Sequence, residues 1–219
     1  MRFRLYQIDR DKDPNQKRFE PFDRTDTVDP SIYRKVFDAE ADVTDLEDAY
    51  ATFNIEGHPL LNGYSMSVSD VIVNEDGAFY VDSDGFTKIE FDETKVDTSD
   101  QIRVLFVQPH DKPFVAEIPD TLKAKQNAVG GLIEFVYNSD ETALVCDEEA
   151  KLKNKEGNRY LDGGGIIAGS FLVVGLGEED CRSLTDEEIQ KYSDKYSEAP
   201  NITDEETSAD VGFKFYGFM

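Results

Sequence analysis

The chain has 219 residues, with 47 acidic and 23 basic side chains and a formal net charge of −24 at pH 7. This length is typical of one large domain or two small ones. Aromatic residues make up 11% of the sequence, whereas acidic disordered chains usually lack them, so we expect a folded core. Two cysteines, Cys146 and Cys181, are too few for a disulfide framework or a zinc site.

The acidic excess is evenly spread. Residues 1–98 hold 11 basic and 23 acidic side chains, and residues 99–219 hold 12 and 24, so each half carries −12. Such a surface repels nucleic acid and membranes and attracts basic proteins. No apolar run approaches the ~20 residues of a membrane span, and the N-terminus lacks the apolar middle of a signal peptide. We therefore expect a cytoplasmic protein that binds neither nucleic acid nor a membrane directly.

Alternating apolar and polar residues predict a first strand over Phe3–Asp9. The loop that follows, to about Thr27, carries the densest basic stretch: Arg10, Lys12, Lys17, Arg18 and Arg24.

Two helices are predicted next. The first begins with Asp29 as N-cap and Pro30 at the first helical position. In the second, Thr44 is the N-cap, Glu47 completes a capping box, and one apolar face is formed by Leu46, Tyr50 and Phe53.

A three-stranded meander follows, because the runs SVSDVIV, GAFYVD and FTKIEF are separated by the turn sequences NEDG and SDG. These acidic turns do not fit a calcium loop. With Gly85 as the sixth position of an EF-hand loop, Tyr80 would be its first residue and Phe91 its twelfth. We predict no metal site and no cofactor.

After a polar stretch at residues 92–100, apolar periodicity that predicts strands and helices begins again. Two strands, QIRVLFVQP and PFVAEIP, precede a helix that starts with Asp120 as N-cap, places Leu122 and Val129 on one side, and stops at Gly130. The runs GLIEFVYN and TALVCD predict a hairpin.

GIIAGSFLVVGL predicts one buried strand with a bulge or close approach at Gly169. A closing helix is capped by Thr185 and Glu188 and has an apolar stripe formed by Ile189, Tyr192 and Tyr196.

These patterns predict an α+β fold of two small domains, each a mostly antiparallel sheet with helices packed on one face. The predicted boundaries are residues 1–95, a linker at 96–100, a second domain at 101–198, and a tail at 199–219. The tail is predicted to be extended and acidic, then aromatic. Its aromatic end is either an edge strand on its own sheet or an anchor for a partner or a second copy: Phe213, Phe215, Tyr216 and Phe218.

The segment CDEEAKLKNKEGNR holds the best candidates for a binding site: Cys146, Asp147, Glu148, Glu149, Asn158 and Arg159. One interpretation is a small-ligand pocket, for example for a nucleotide, and the other is a polar turn after a buried strand. A catalytic cysteine would need a base nearby. The two histidines, His58 and His110, lie in proline-flanked loops and are expected to be exposed. We assign no catalytic residue.

Two parts of the sequence resemble known families. Residues from about 2 to 92 resemble the YodL-type domain in the runs YQIDRDKDPNQKRFEPFDR, YRKVFDAE, LEDAYATFN and GYSMSVSDVIVNEDGAFYVDSDGF. Residues from about 101 to 197 resemble the domain of unknown function 3846 in AVGGLIEFVY, LVCDEEAKL, Asn158–Arg159 and IIAGSFLVVGLGEED. The chain departs from the second pattern at Asp147, where Asn is usual, and at Ala150, where Gly is usual.

The resemblance implies a setting and no reaction, because such domains occur on conjugative elements and phages of Gram-positive gut bacteria, near antirestriction proteins. Combined with the charge, it suggests a non-catalytic acidic interaction protein that imitates DNA and blocks a host nuclease, as an antirestriction or anti-CRISPR inhibitor. The alternative is a module that binds or sequesters a small ligand of nucleotide type and regulates the element. The expected partner is a host protein with a basic surface, and a homodimer is left open.

Overall fold

The computed structural model describes residues 2–25, 27–137 and 141–210. The fold is α+β, with mostly antiparallel sheets and a few helices in two small domains, so the predicted fold class is confirmed. Two compact units divide the chain: Met1–Arg103 with Ala116–Ala124, and Val104–Val115 with Lys125–Met219. None of the described helices is long and apolar enough to cross a membrane.

The first sheet has five strands in the order β2-β1-β3-β4-β5, and each neighbouring pair is antiparallel. Its strands are β1 (Arg2–Ile8), β2 (Tyr33–Glu40), β3 (Val71–Asn74), β4 (Gly77–Val81) and β5 (Phe86–Ile89). The predicted meander corresponds to β3, β4 and β5, and its tight turns use glycines with positive φ, Gly77 at 125° and Gly85 at 75°.

One face of this sheet carries a core rich in tyrosine, because alternate residues of each strand point to the same side. Tyr6, Tyr33, Val71 and Tyr80 are buried there together with Val96. The carboxylate of Glu93 pairs with Arg4 at 2.6 Å and accepts a hydrogen bond from the Tyr6 hydroxyl. Residues 96–100, predicted as a linker, lie within the first unit.

The helix predicted from Asp29 is wrong beyond its first turn. Asp29 does cap a 3₁₀ turn, Pro30–Ile32, by accepting from the Ser31 N–H at 3.0 Å. The chain then enters β2, whose residues are buried on both faces and pair with β1. Pairing with a distant strand outweighs the local helix signal, which sequence alone does not reveal.

The second predicted helix exists as α1 (Leu46–Ala51), continued by a π-helical turn over Thr52–Glu56. Its N-cap is Asp45 rather than Thr44, because the Asp45 carboxylate accepts from the Asp48 N–H at 2.9 Å. The predicted apolar face is only partly correct. Phe53 is buried against Phe37, with ring centroids 4.8 Å apart, whereas Tyr50 is exposed.

The second sheet has the order β7-β6-β12-β9-β8, with β13 paired to β12. Its strands are β6 (Gln101–Val107), β7 (Phe114–Pro119), β8 (Ile133–Tyr137), β9 (Thr142–Asp147), β12 (Phe171–Leu176) and β13 (Cys181–Arg182). A separate two-stranded sheet joins β10 (Gly157–Tyr160) to β11 (Ile166–Ala168). The remaining helices are α2 (Leu122–Val129), α3 (Asp186–Lys195) and α4 (Asp204–Ala209).

Gly169 divides the run that was predicted as one strand into β11 and β12, which belong to different sheets. Its φ is +69°, and an added Cβ would lie 2.8 Å from the Lys155 Cδ. The glycine was therefore correctly predicted as a special backbone position, but it marks a change of sheet.

α2 ends at Gly130 as predicted, with φ +70°. At its start, however, Thr121 Oγ1 accepts from the Ala124 N–H at 3.2 Å, where Asp120 was predicted to cap. Val129 is buried and Leu122 is 60% exposed, so the predicted apolar side is only half correct.

α3 has the predicted capping box of Thr185 and Glu188. Tyr192 and Tyr196 are buried in the core of the second sheet, with Ile189 packed against them.

The tail over residues 203–209 is wrongly predicted as extended. It forms α4, with a capping box between Thr203 and Glu206. Ile202 and Thr207 are buried, and they surround Gly157 so closely that a Cβ there would lie 2.5 Å from an Ile202 methyl carbon. This docking explains why a polar six-residue segment is helical.

Candidate functional site

Cys146 is the second-last residue of β9, and its side chain is buried in the core of the second sheet. Its thiol donates to Glu134 Oε1 at 3.6 Å. Burial, together with the neighbouring Glu134 carboxylate, raises the pKa of the Cys146 thiol to about 12. Since only the thiolate is a good nucleophile, Cys146 is unsuited to catalysis at neutral pH.

Asp147 forms ion pairs with Lys153 and Lys155. Its carboxylate lies 2.6 Å from Lys155 Nζ and 3.0 Å from Lys153 Nζ, and its Oδ1 accepts from the Glu149 N–H at 3.1 Å. Burial pushes the pKa of Asp147 up, but the Lys155, Glu149 and Lys153 hydrogen bonds outweigh it and hold the pKa below its ordinary value. Gly131 packs directly on this carboxylate, leaving no room for a Cβ.

Glu148 and Glu149 are exposed and belong to the turn that follows β9. The turn is closed by backbone hydrogen bonds from Ala150 N to Asp147 O and from Lys153 N to Glu149 O. Glu149 also pairs with Lys153 at 3.3 Å. The acidic run is thus a polar connection whose first carboxylate is structural.

Asn158 is fully buried and links three parts of the second unit. Its Nδ2 donates to Gly169 O at 2.7 Å and to Val107 O at 3.1 Å. Its Oδ1 accepts from Arg159 Nη1 at 2.7 Å. These bonds connect β10, the end of β6 and the bend between β11 and β12.

Arg159 is 3% exposed, and its five N–H groups all have acceptors. Nε and Nη2 donate to the Tyr196 carbonyl at 3.2 and 2.9 Å, and Nη2 also donates to the Asp111 carbonyl at 2.7 Å. Nη1 donates to the backbone oxygen of Asn158 at 3.0 Å and to its side-chain oxygen at 2.7 Å. Burial lowers the pKa of Arg159, and the charges of Asp111 and Tyr196 oppose this only in part. The guanidinium therefore links β10 to the end of α3.

Internal contacts thus account for the four buried side chains of the predicted ligand set, Cys146, Asp147, Asn158 and Arg159. Two described cavities, both in the first unit, are lined by other residues. The geometry gives the ligand interpretation no support, although it remains a prediction. The predicted partner-binding aromatics, Phe213, Phe215, Tyr216 and Phe218, lie outside the described residues.

The two histidines differ in their exposure to solvent. His58 is half-buried, contrary to expectation, with its ring 4.8 Å from that of Phe37, and burial lowers its pKa to about 4. His110 is exposed, as expected, and its Nε2 lies 3.6 Å from a carboxylate oxygen of Glu156. Within the described residues, no group of three or more His, Cys, Asp or Glu side chains is arranged to hold a metal ion.

The structure reveals a buried polar network in the first unit that sequence reasoning did not identify. Asp70, 5% exposed, accepts from Gln7 Nε2 at 2.9 Å and from the Ser67 N–H at 2.8 Å. Ser69 is fully buried with φ +81°, and its carbonyl accepts from the Tyr33 hydroxyl at 2.9 Å. The sequence feature that could have indicated this network is the serine run before DVIV, but nothing in the sequence shows that these serines are buried against β1.

Burial raises the pKa of Asp70 to about 7, against the opposing effects of the Gln7 and Ser67 hydrogen bonds and the Arg18 charge. Because the folded state binds this proton more tightly than the unfolded state, the stability it contributes is complete below about pH 4 and is lost as the pH rises through about 7. At roughly 1.4 kcal/mol per pH unit, the upper limit is about 4 kcal/mol.

We expect Asp70→Asn to raise the free energy of unfolding by about 1–2 kcal/mol at pH 8 and to change it little at pH 4. Urea unfolding of both proteins at several pH values measures this difference. Asp84→Asn, at an exposed turn, is the control and should show no such trend. A variant that is less stable than the parent at pH 8 would contradict the prediction.

The two cavities of the first unit share Phe22, Thr27 and Val28 in their linings. The first, about 370 Å³, is lined by three aromatic rings, two lysines and four acids, among others: Phe22, Tyr33, Tyr80, Lys12, Lys17, Asp13, Glu20, Asp23 and Asp29. The second, about 540 Å³, shares Phe22 and is bordered by Phe91 and Lys95. Such volumes are in the range of small-molecule sites.

The fold and its polar networks define a two-domain α+β protein whose buried charged groups have mainly structural partners. Residues 2–91 match the family model of the YodL-like domain, and residues 102–197 match that of the domain of unknown function DUF3846. The chain therefore carries a YodL-like domain followed by a DUF3846 domain, in the order that the sequence motifs predicted. No curated protein and no solved structure matches the chain.

Proposed function

We propose that the protein is a non-catalytic, cytoplasmic interaction protein that occupies the nucleic-acid-binding surface of a basic partner. In this proposal its carboxylates replace the phosphates of DNA. The partner is a host defence nuclease, and the protein is an anti-defence inhibitor carried by a mobile element or phage. The setting comes from the resemblance of the two domains to families of such elements.

The observation that carries the proposal is that many basic side chains form ion pairs with acids of the same chain. In the second unit, five of them form ion pairs within the chain: Lys151, Lys153, Lys155, Arg182 and Lys195. A sixth, Arg159, is buried among carbonyl groups. Because these positive charges are held by particular acids, the other carboxylates remain available at the surface to a basic partner.

The clearest example is an acidic corner, which we define as Glu178, Glu179, Asp180 and Glu187. Arg182 joins the turn after β12 to the start of α3 through Nη1 and Nη2 contacts of 2.8 and 2.7 Å to the Glu188 carboxylate. This pair lowers the pKa of Glu188 to about 2. The four corner carboxylates are exposed and form no ion pair with the described residues.

The test is capture of partners from a host lysate on the immobilised full chain, at about 50 and 200 mM salt. We expect a nucleic-acid-binding protein to be retained at low salt and lost at high salt. Neutralising the acidic corner, with Glu178→Gln, Glu179→Gln, Asp180→Asn and Glu187→Gln, should weaken its binding by at least about tenfold.

A matched variant neutralises four exposed acids of the first unit: Asp42→Asn, Glu47→Gln, Glu75→Gln and Asp84→Asn. It has the same net charge as the corner variant and should retain binding within about threefold. Equal losses in both variants would indicate non-specific charge attraction. Retention at high salt would argue against imitation of DNA.

Small-ligand binding remains the second candidate function, and one observation favours the first unit as its location. The cavity of about 370 Å³ combines the aromatic rings of Phe22, Tyr33 and Tyr80 with a charged lining of two lysines and four acids, a composition that suits a planar polar molecule. A thermal shift with a panel of nucleotides, reduced by Phe22→Ala and unchanged by Arg159→Lys once the variants' own stabilities are subtracted, would support it.

A further inference from the structure

An arginine packs against two exposed aromatic rings in the first unit. The Arg18 guanidinium carbon is 4.5 Å from the ring centroid of Phe19 and 4.8 Å from that of Tyr64. Phe19 is 57% exposed and Tyr64 is 55% exposed, although the burial of large aromatic side chains is energetically favourable. Arginine and tyrosine are also residue types enriched where binding energy is concentrated at protein interfaces.

Buried polar side chains fix the backbone that carries both rings. Phe19 has φ +70°, a conformation costing a non-glycine residue roughly 1–2 kcal/mol, and its N–H donates to the buried Ser69 Oγ at 2.9 Å. The Tyr64 N–H donates to Gln7 Oε1 at 2.9 Å, and its carbonyl accepts from Gln7 Nε2 at 3.0 Å. The stack is therefore pre-organised, and binding would lose little conformational entropy.

The half-buried guanidinium makes no close polar contact with the described residues, and its positive charge acts on the buried Asp70 only through space. In the part of the chain that the structure describes, the Arg18 side chain donates no hydrogen bond and forms no ion pair. Asp13 Oδ2 accepts from the Arg18 backbone N–H at 3.0 Å, and Asp70 accepts from Gln7 and Ser67. A planar guanidinium packed against aromatic rings presents its N–H edge to a carboxylate in bidentate geometry.

We propose that Arg18, Phe19 and Tyr64 form an interaction surface for a protein partner that presents an Asp or Glu side chain flanked by apolar residues. The carboxylate binds the guanidinium edge, and the flanking side chains cover the outer faces of the two rings. A protein is favoured over a nucleic acid because the net charge of −24 repels polyphosphates at long range, while a single carboxylate within an apolar contact is recognised at short range. This surface does not depend on the imitation of DNA by the acidic corner.

The experiment selects a phage-displayed random peptide library on the full chain and measures the affinity of the recovered peptides. We expect them to share an acidic residue next to aromatic or aliphatic residues. Arg18→Ala should weaken their binding by at least about tenfold, and Arg18→Lys, which keeps the charge and loses the planar fork, by nearly as much. Arg34→Ala removes an exposed arginine from the same unit and should have no effect.

Thermal unfolding of each variant verifies that it is folded before its affinity is compared. Failure to recover any peptide, recovery of peptides without an acidic residue, or binding unchanged by Arg18→Ala would overturn the proposal. Tighter binding to single-stranded DNA than to the selected peptides would overturn it too, by assigning the stack to nucleic acid. Replacing the acidic residue of a selected peptide with its amide should abolish binding.

Discussion

Replacing Arg159 with alanine is expected to lower the free energy of unfolding by about 3–5 kcal/mol, the largest effect we predict for a single substitution. The change removes the donor to the buried oxygens of Tyr196 and Asn158 and to the carbonyl of Asp111, and it opens a cavity between β10 and the end of α3. Unfolding in urea, followed by circular dichroism, measures the loss.

Arg159→Lys keeps the positive charge but supplies a single ammonium in place of five N–H groups in a plane. We expect it to recover less than half of the lost stability. Arg34→Ala removes an exposed arginine and should stay within about 0.5 kcal/mol of the parent. A loss below about 1 kcal/mol for Arg159→Ala would show that the guanidinium is not structural and would reopen its predicted role in ligand binding.

The second large effect is expected for Asp147→Ala, which should cost about 2–3 kcal/mol. The substitution removes a fully buried carboxylate that pairs with Lys155 and Lys153 and accepts from the Glu149 N–H. The lysine side chains are 24% and 38% exposed, so they can turn to solvent, and the loss is therefore smaller than for an enclosed pair.

Glu149→Ala is the matched control, because it removes an exposed carboxylate that contacts the same Lys153. It should change stability by less than about 0.5 kcal/mol. Asp147→Asn should give an intermediate loss, since the amide oxygen still accepts from the Glu149 N–H while both ion pairs are lost. Equal stability of the two alanine variants would contradict the structural role of Asp147.

Local chemistry predicts those parts of the fold in which neighbouring residues decide the structure. The turn glycines Gly77 and Gly85 identify the meander, and Thr185 with Glu188 identifies the start of α3. β2 was missed because its pairing with β1 is non-local, while its local signal, Asp29 followed by Pro30, is a helix start that ends after one turn. α4 was missed although Thr203 and Glu206 form a capping box, because the segment has no apolar stripe.

In the candidate site, too, features set by neighbouring residues could be predicted, whereas features set by distant contacts could not. The order of residues allowed two interpretations of Cys146–Glu149, a ligand pocket or a polar turn after a buried strand, and in the structure Glu148 and Glu149 are exposed in the turn after β9. Asn158 donates to Val107, 51 residues away, and Arg159 donates to Asp111, 48 residues away, so their structural roles are not evident from the sequence. Asp70 and the Arg18 stack depend likewise on how the loop after β1 packs against the segment before β3.

The central claim is that the acidic surface competes with DNA for a basic partner. Its most direct test repeats the partner capture at about 50 mM salt while duplex DNA is titrated against the bound partner. We predict that DNA displaces the partner from the wild-type chain, and does so at a much lower concentration from the acidic-corner variant than from the matched first-unit variant. A captured partner that DNA does not displace at any concentration would contradict the claim.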